Sequence, residues 1–478
     1  MSGKILLCLL LPALLLPAPA PAAAPAAEKI ATGADQQAVA VTIYNDDLAL
    51  IKDRRRVRLE QGDNRLAWRE VSARMRPETA QLRNLGNPEG FRLVEQNFDF
   101  DLLTPQKLLE KHLGKEVIVI RINPASGEEH RETATVLASG GGVVLKFADR
   151  IETGVPGRLV FAGVPETLRD KPTLVVSLSN PLTGEQDLEL SYLTGGLSWR
   201  ADYVAELNEG DNRLDLNGWA TLVNQSGAAY AGARLQLVAG DVNRVRDMPP
   251  MGRGVLLAAE AGTAEMEEES LFEYHLYSLP RPTNLADNQS KQVALLSAAD
   301  VAVNKEFLLE GAGHYYLGQY GEIERKRKVG VFVEFANSGE GLGAPLPRGI
   351  VRVYKKDSQG NAQFVGEDRI DHTARNESVR LKLGEAFDIT AERTQTDFRR
   401  PAQGERHVTM SESAYRIVLK NAKKEAVRVI VREPVPGDWT MVSESHPHVR
   451  PASNVAQWQV PVPAEGEATL VYRVRVRQ

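Results

Sequence analysis

A two-residue hydrophobic rhythm runs through most of this chain, and it restricts the fold more than any other feature. Val39, Val41 and Ile43 alternate with polar or small residues, as do Leu188, Leu190 and Tyr192, and Leu235 with Leu237. The rhythm is cleaner in the C-terminal third. Val329, Val331, Val333 and Phe335 share one face, and Tyr415, Ile417 and Leu419 another. Val427, Val429 and Val431 alternate with Arg428, Ile430 and Arg432, while Leu470, Tyr472, Val474 and Val476 alternate with Arg473, Arg475 and Arg477. An apolar face backed by a charged one marks antiparallel strands wetted on one side. Turn clusters at Gly62-Asp63-Asn64, Gly210-Asp211-Asn212, Asp357 to Asn361 and Pro434 to Asp438 punctuate the strands. The expected fold class is all-β: β-sandwich domains, a small inserted SH3/Sm-like barrel module and few helices.

One helix is predicted. Thr104 serves as N-cap, Pro105 takes the first helical position, Leu108, Leu109 and Leu113 share a face, and Gly114 is the stop. Short strands follow at Glu116 to Ile122, Glu132 to Ala138 and Val143 to Phe147, so residues 106–161 are expected to form the barrel-like insert. Between Arg246 and Ser270 the pattern lapses into Met248-Pro249-Pro250-Met251, scattered glycines and the acidic run Glu265 to Glu269. That composition reads as a flexible linker over residues 246–270. It divides an N-terminal β domain, 38–245, from a C-terminal Ig-like β-sandwich, 271–478.

The N-terminus sets an expected compartment. Lys4 precedes an apolar stretch from Ile5 to Leu16 and an Ala/Pro tract from Pro17 to Ala27, the layout of a secretory signal peptide over residues 1–26, with cleavage favoured after Ala22 or Ala26. About a dozen apolar residues are too few to span a bilayer, which takes about 20. The expected location is the periplasm or the extracellular cell surface. Cys8, the only cysteine, falls inside the segment to be removed. The mature chain is then expected to lack disulfides, thiolate metal sites and thiol catalysis. A formal charge of −5, becoming −6 on loss of Lys4, with no basic domain, argues against nucleic acid as partner. No apolar run after the signal is long enough for a transmembrane helix.

Three stretches carry a resemblance: Gly195 to Tyr203 (GGLSWRADY), Leu216 to Asn224 (LNGWATLVN) and Tyr230 to Val242 (YAGARLQLVAGDV), with weaker echoes at Phe272 to Leu279 and Asp287 to Leu295. Together they resemble a widespread bacterial family of exported proteins with an uncharacterised C-terminal β domain, the mucoidy-inhibitor-like family. The resemblance implies a β fold and an exported location, and brings no reaction with it.

Candidate sites divide into several chemistries. In Leu197 to Tyr203, Ser198, Arg200 and Asp202 share one strand face and Trp199, Ala201 and Tyr203 the other. Trp199, Arg200 and Tyr203 form a candidate carbohydrate-stacking surface. The competing reading puts both rings in the core and pairs Arg200 with a carboxylate on an adjacent strand. His446-Pro447-His448 is a close imidazole pair, with Glu444 as the nearest acid, but no third imidazole completes a metal set, and none is assigned. His275 and His314 read as satisfied partners within sheets. Asp46-Asp47 and Asp99 with Asp101 are candidate carboxylates for acid–base hydrolysis that equally suit turns and strand ends. There is no G-x-S-x-G elbow, no P-loop and no dinucleotide fingerprint, and no cofactor is expected. Two charge runs remain. Glu265 to Glu269 reads as a solvated linker, and Glu324 to Lys328 as protection for a strand end or a contact with anionic envelope glycans or headgroups. The expected function is non-enzymatic recognition or assembly at the bacterial cell envelope, with an envelope protein or polysaccharide as partner. The alternative is a glycan- or peptide-cleaving hydrolase whose carboxylates converge between domains. The oligomeric state is not encoded in any pattern above.

Overall fold

A computed structural model of the chain describes residues 27–155, 157–165, 167–240, 242–243, 267–271, 274–400 and 410–477. The expected signal peptide, with Cys8, and residues 246–266 of the expected linker lie outside the described residues. The regular structure of the described chain is nearly all strand, with one α-helix at Pro105–Glu110. It forms two compact units. The first takes the described residues up to Asp35 with Arg55–Val71 and Leu82–Leu188, and the second takes Gln36–Arg54, Ser72–Gln81 and Glu189–Gln478. These units interleave along the sequence, because strand partners are drawn from distant segments. Gln36–Tyr44, for instance, pairs in parallel with Tyr230–Ala239.

The first unit holds two sheets. One orders its strands Glu28–Ala31, Gly62–Arg69, Thr173–Asn180 and Arg92–Asp99. The other is the expected insert. Its helix begins as predicted, the Lys107 backbone amide donating to the Thr104 hydroxyl at 3.1 Å. It ends at Glu110, so Leu113 lies beyond it and is 47% exposed, while Leu109 is buried. Leu109 packs with Val117, Val119, Val136, Leu145 and Phe147. The strands run in the order Ile151–Thr153, Val144–Lys146, Glu129–Ala138, Glu116–Ile122 and Arg158–Val160. This is an open five-stranded sheet and not a closed barrel. Its outermost strands, three residues each, pair only inward and bring few backbone groups to a closing seam.

Three sheets build the second unit. In the first, Glu267–Leu271 pairs with Tyr274–Ser278, which pairs with Tyr230–Ala239. The last residues of the expected linker are therefore sheet, since an acidic composition suits a strand at an edge. A five-stranded sheet runs in the order Gln289–Ala302, Arg213–Asn224, Leu197–Leu207, Gly349–Lys356 and Ala362–Ile370.

The third sheet has nine strands, from Asp438–Glu444 through Gly466–Arg477, Met410–Asn421, Ser378–Arg399, Glu322–Ala336, Asn304–Glu310, Val427–Pro434 and Val455–Val462 to Val449–Ala452. Trp458 and Tyr472 sit near opposite ends of that order, yet their rings stack with centroids 4.7 Å apart. The sheet therefore folds back on itself as a sandwich over a shared core that includes Val429, Val431, Ile417, Leu419, Leu470 and Val474. The run Glu324 to Lys328 lies inside the strand Glu322–Ala336, which pairs with Asn304–Glu310 only from Gly330 to Glu334, so along the run the described strand partner is Ser378–Arg399 alone. Breaks in register between Glu324 and Arg327 and between Lys328 and Gly330 bulge the strand there.

The bulge is accompanied by a buried ionic cluster. Arg393, fully buried, donates from Nη2 to Glu433 Oε1 at 2.7 Å and from Nη1 to Glu324. The Tyr316 hydroxyl donates to Glu433 Oε2 at 3.0 Å and lies 2.9 Å from the Tyr472 hydroxyl. Burial pushes the Glu433 carboxyl above the ordinary carboxylate range despite the Arg393 guanidinium beside it. Gly311 leaves room for that carboxylate, since a Cβ there would fall 1.9 Å from Glu433 Oε2.

Candidate functional site

The five-stranded sheet of the second unit presents two unlike faces, and Leu197–Leu207 contributes to both. On one face Trp199 is 3% exposed and Tyr203 is 0% exposed. The Trp199 indole N–H donates to the Val238 carbonyl at 3.1 Å and the Tyr203 hydroxyl to the Pro347 carbonyl at 2.8 Å. Tyr203 lies directly opposite Gly218, where a Cβ would crowd its ring carbons at 3.2 Å and Leu296 Cγ at 2.9 Å. The residue types of the first candidate surface thus form a core with its polar atoms satisfied. Of the three, only Arg200 reaches solvent. Its Nε donates to Asp202 Oδ2 at 3.1 Å, on its own strand and not on a neighbour.

The opposite face carries a polar row across all five strands. Gln292 Nε2 donates to Thr221 Oγ1 at 3.1 Å, and the Thr221 hydroxyl donates to Asp202 Oδ2 at 2.6 Å. Arg352 Nη1 donates to Asp202 Oδ1 at 3.0 Å, and Arg352 Nε lies 3.3 Å from Glu367 Oε2. Burial alone would raise the Asp202 carboxyl. Thr221 and the Arg352 and Arg200 guanidiniums outweigh it and hold the carboxyl below the usual range. Asp202 is therefore held ionised at neutral pH.

Trp219 stands beside this row, directly across from Asp202 in the strand register. It is 38% exposed, whereas Trp68, Trp199, Trp439 and Trp458 are all buried. An open cavity of about 420 Å³ adjoins it, lined by Leu279, Pro280, Arg281, Lys291 and Gln292. A second aromatic pair, Tyr354 and Phe364, meets edge to face at 5.7 Å, with Phe364 55% exposed. Register places Tyr354 opposite Glu206, on the face of Asp202 and Trp219. Strand spacing and rise put it roughly 16 Å from Trp219. Two exposed aromatic stations on one sheet face, with the partly exposed Arg200, Arg352 and Glu367 between them, can hold a flat, extended, hydroxylated ligand.

Trp219 was legible in principle. In Leu216 to Asn224, Leu216, Gly218, Ala220 and Leu222 fall in the core phase, which leaves Asn217, Trp219 and Thr221 on the polar face. A large aromatic in the polar phase of a strand is the signal.

The remaining candidates are accounted for individually. His448 Nδ1 lies 2.9 Å from Glu444 Oε2, which also accepts from the Trp458 indole at 2.8 Å, and the His448 ring packs by Trp439. His446 Nδ1 faces Ser445 Oγ at 2.9 Å, so the two imidazoles have different partners. Among the described residues no group of three or more His, Cys, Asp or Glu could hold a metal. His275 sits in the strand Tyr274–Ser278, and His314 packs against Tyr315. Asp46 accepts from Arg348, Asp47 from the Gly196 amide, Asp99 from Arg169, and Asp101 pairs with Lys107 and Lys111. No described helix is long and apolar enough to cross a membrane.

The fold and this face define an all-β protein with exposed aromatics, Trp219 and Phe364, on a sheet face whose polar row is buried at Asp202 and Thr221. Residues 188–478, which contain the whole five-stranded sheet and the nine-stranded sandwich, match the domain of unknown function DUF4139. The chain belongs to that family. No curated protein matches it.

Proposed function

We propose that this chain is an exported, non-catalytic protein that recognises polysaccharide at the bacterial cell envelope through the face bearing Trp219. The carrying observation is that the one exposed tryptophan of five stands over a row of hydrogen-bonding groups fixed to one another across five strands. A pyranose ring offers an apolar C–H face to an aromatic side chain and hydroxyls to the flanking donors and acceptors. Sites of this kind need little rearrangement, and the ion-paired row is preorganised for it. The signal-peptide pattern in residues 1–26 and the sequence resemblance to the mucoidy-inhibitor-like family support the envelope location.

Affinity electrophoresis of the full chain through gels containing envelope polysaccharides tests the reading. Retardation is expected, and W219A should weaken it about tenfold or more, as removal of an aromatic anchor does. Equal migration of wild type and W219A in every polysaccharide would reject it.

A further inference from the structure

The charge around Trp219 narrows the class of polysaccharide. Arg281 and Lys291 line the cavity beside the indole. Lys291 Nζ donates to the Asn284 carbonyl at 3.0 Å, and neither cation has a carboxylate partner among the described residues. Elsewhere on this sheet face several charges are paired. Asp202 takes Arg200 and Arg352, Arg352 also takes Glu367, and Lys356 takes Glu206 at 2.6 Å. Lys291 stands opposite Leu222, in the core phase, and meets the Trp219 cavity at the edge of the sheet. Two cations without carboxylate partners lining that cavity are complementary to an anion placed there.

Resting on the glycan reading above, we infer that the ligand is an acidic polysaccharide, with a sugar ring on Trp219 and its carboxylate between Arg281 and Lys291. Arg281 offers a planar fork that matches a carboxylate, and Lys291 a point charge already oriented by the Asn284 carbonyl. Gln292, at the end of the polar row, lines the same cavity and is available to a neighbouring hydroxyl. Both cations are solvent-accessible, so the ionic contribution should be screened by salt while stacking on Trp219 should persist.

Polygalacturonate and its methyl ester share one backbone and differ in the carboxylate, and titration calorimetry of the full chain against both isolates the charge. The expected result is tighter binding of the acid form, a preference erased by 0.5 M salt and by the R281Q/K291Q double variant. That variant should lose roughly fivefold in affinity for the acid form alone, as two exposed ion pairs would give. An unchanged melting temperature for the variant shows that it is folded. If both polymers bind alike and only W219A weakens them, acid selectivity is wrong and the glycan face stands. If neither polymer binds, this inference is overturned, and the polysaccharide screen above then decides the wider reading.

Discussion

Arg393 illustrates how one side chain can decide the stability of the sandwich. Its guanidinium is fully buried between Glu433 and Glu324, and Glu433 is itself fully buried and tied to Tyr316. Burying charges costs several kcal/mol per ion, and the pairing recovers that cost only while every member is present. Replacing Arg393 with methionine keeps much of the apolar stem and leaves the Glu433 carboxyl without its cation. Urea denaturation of R393M should show a loss of about 3–5 kcal/mol. A loss under 1 kcal/mol would mean that the cluster contributes little. None of this was legible in the sequence. Arg393 stands in an alternating stretch where a charged residue reads as solvent-facing, and Glu324 sits in a charge run. Only the bulged register of Glu322–Ala336 brings the two together. Trp199 and Tyr203 carry the converse lesson. Their residue types suit a sugar surface as well as a core, and the choice is made by Gly218, Val238 and Pro347, two of them far away in the chain.

At the scale of the element, the polar row makes the five-stranded sheet sensitive to acid. Asp202 has its folded-state carboxyl below the usual value, held there by Thr221 and the guanidiniums against burial. A depressed carboxyl stabilises fully above its unfolded value, about 3.9, and the contribution fades as pH falls through the lower folded value. On the nine-stranded sheet Asp397 is lowered by Arg473 and Arg399, and Glu412 by Arg475 and Arg473. Stability should therefore drop below about pH 4, and D202N should flatten part of that acid limb while lowering stability at pH 7. Thermal melts of both proteins across pH 2–7 check this, and parallel acid limbs would refute it. The faces of individual elements were readable. Leu470, Tyr472, Val474 and Val476 are buried as their alternation implies, and Arg473 and Arg475 turn outward to Glu412. Bulges and closure were not, because a register shift leaves residue types unchanged and closure depends on edge strands only three residues long.

For the whole molecule, the alternation specifies sheets and the stacking of Trp458 on Tyr472 closes one of them into a sandwich. The rhythm gives fold class without partners, so it could not reveal that the compact units interleave along the chain. It also contained the face proposed here for recognition, in the one tryptophan set in the polar phase of its strand. The central claim is that this tryptophan alone is presented to solvent and covered by ligand. N-bromosuccinimide oxidation of the native full chain, read by peptide mass spectrometry, counts accessible indoles among the five. Rapid oxidation of Trp219 alone, suppressed by saturating acidic polysaccharide, is the predicted result. Rapid oxidation of Trp199, or of Trp219 at an unchanged rate under ligand, would contradict the account.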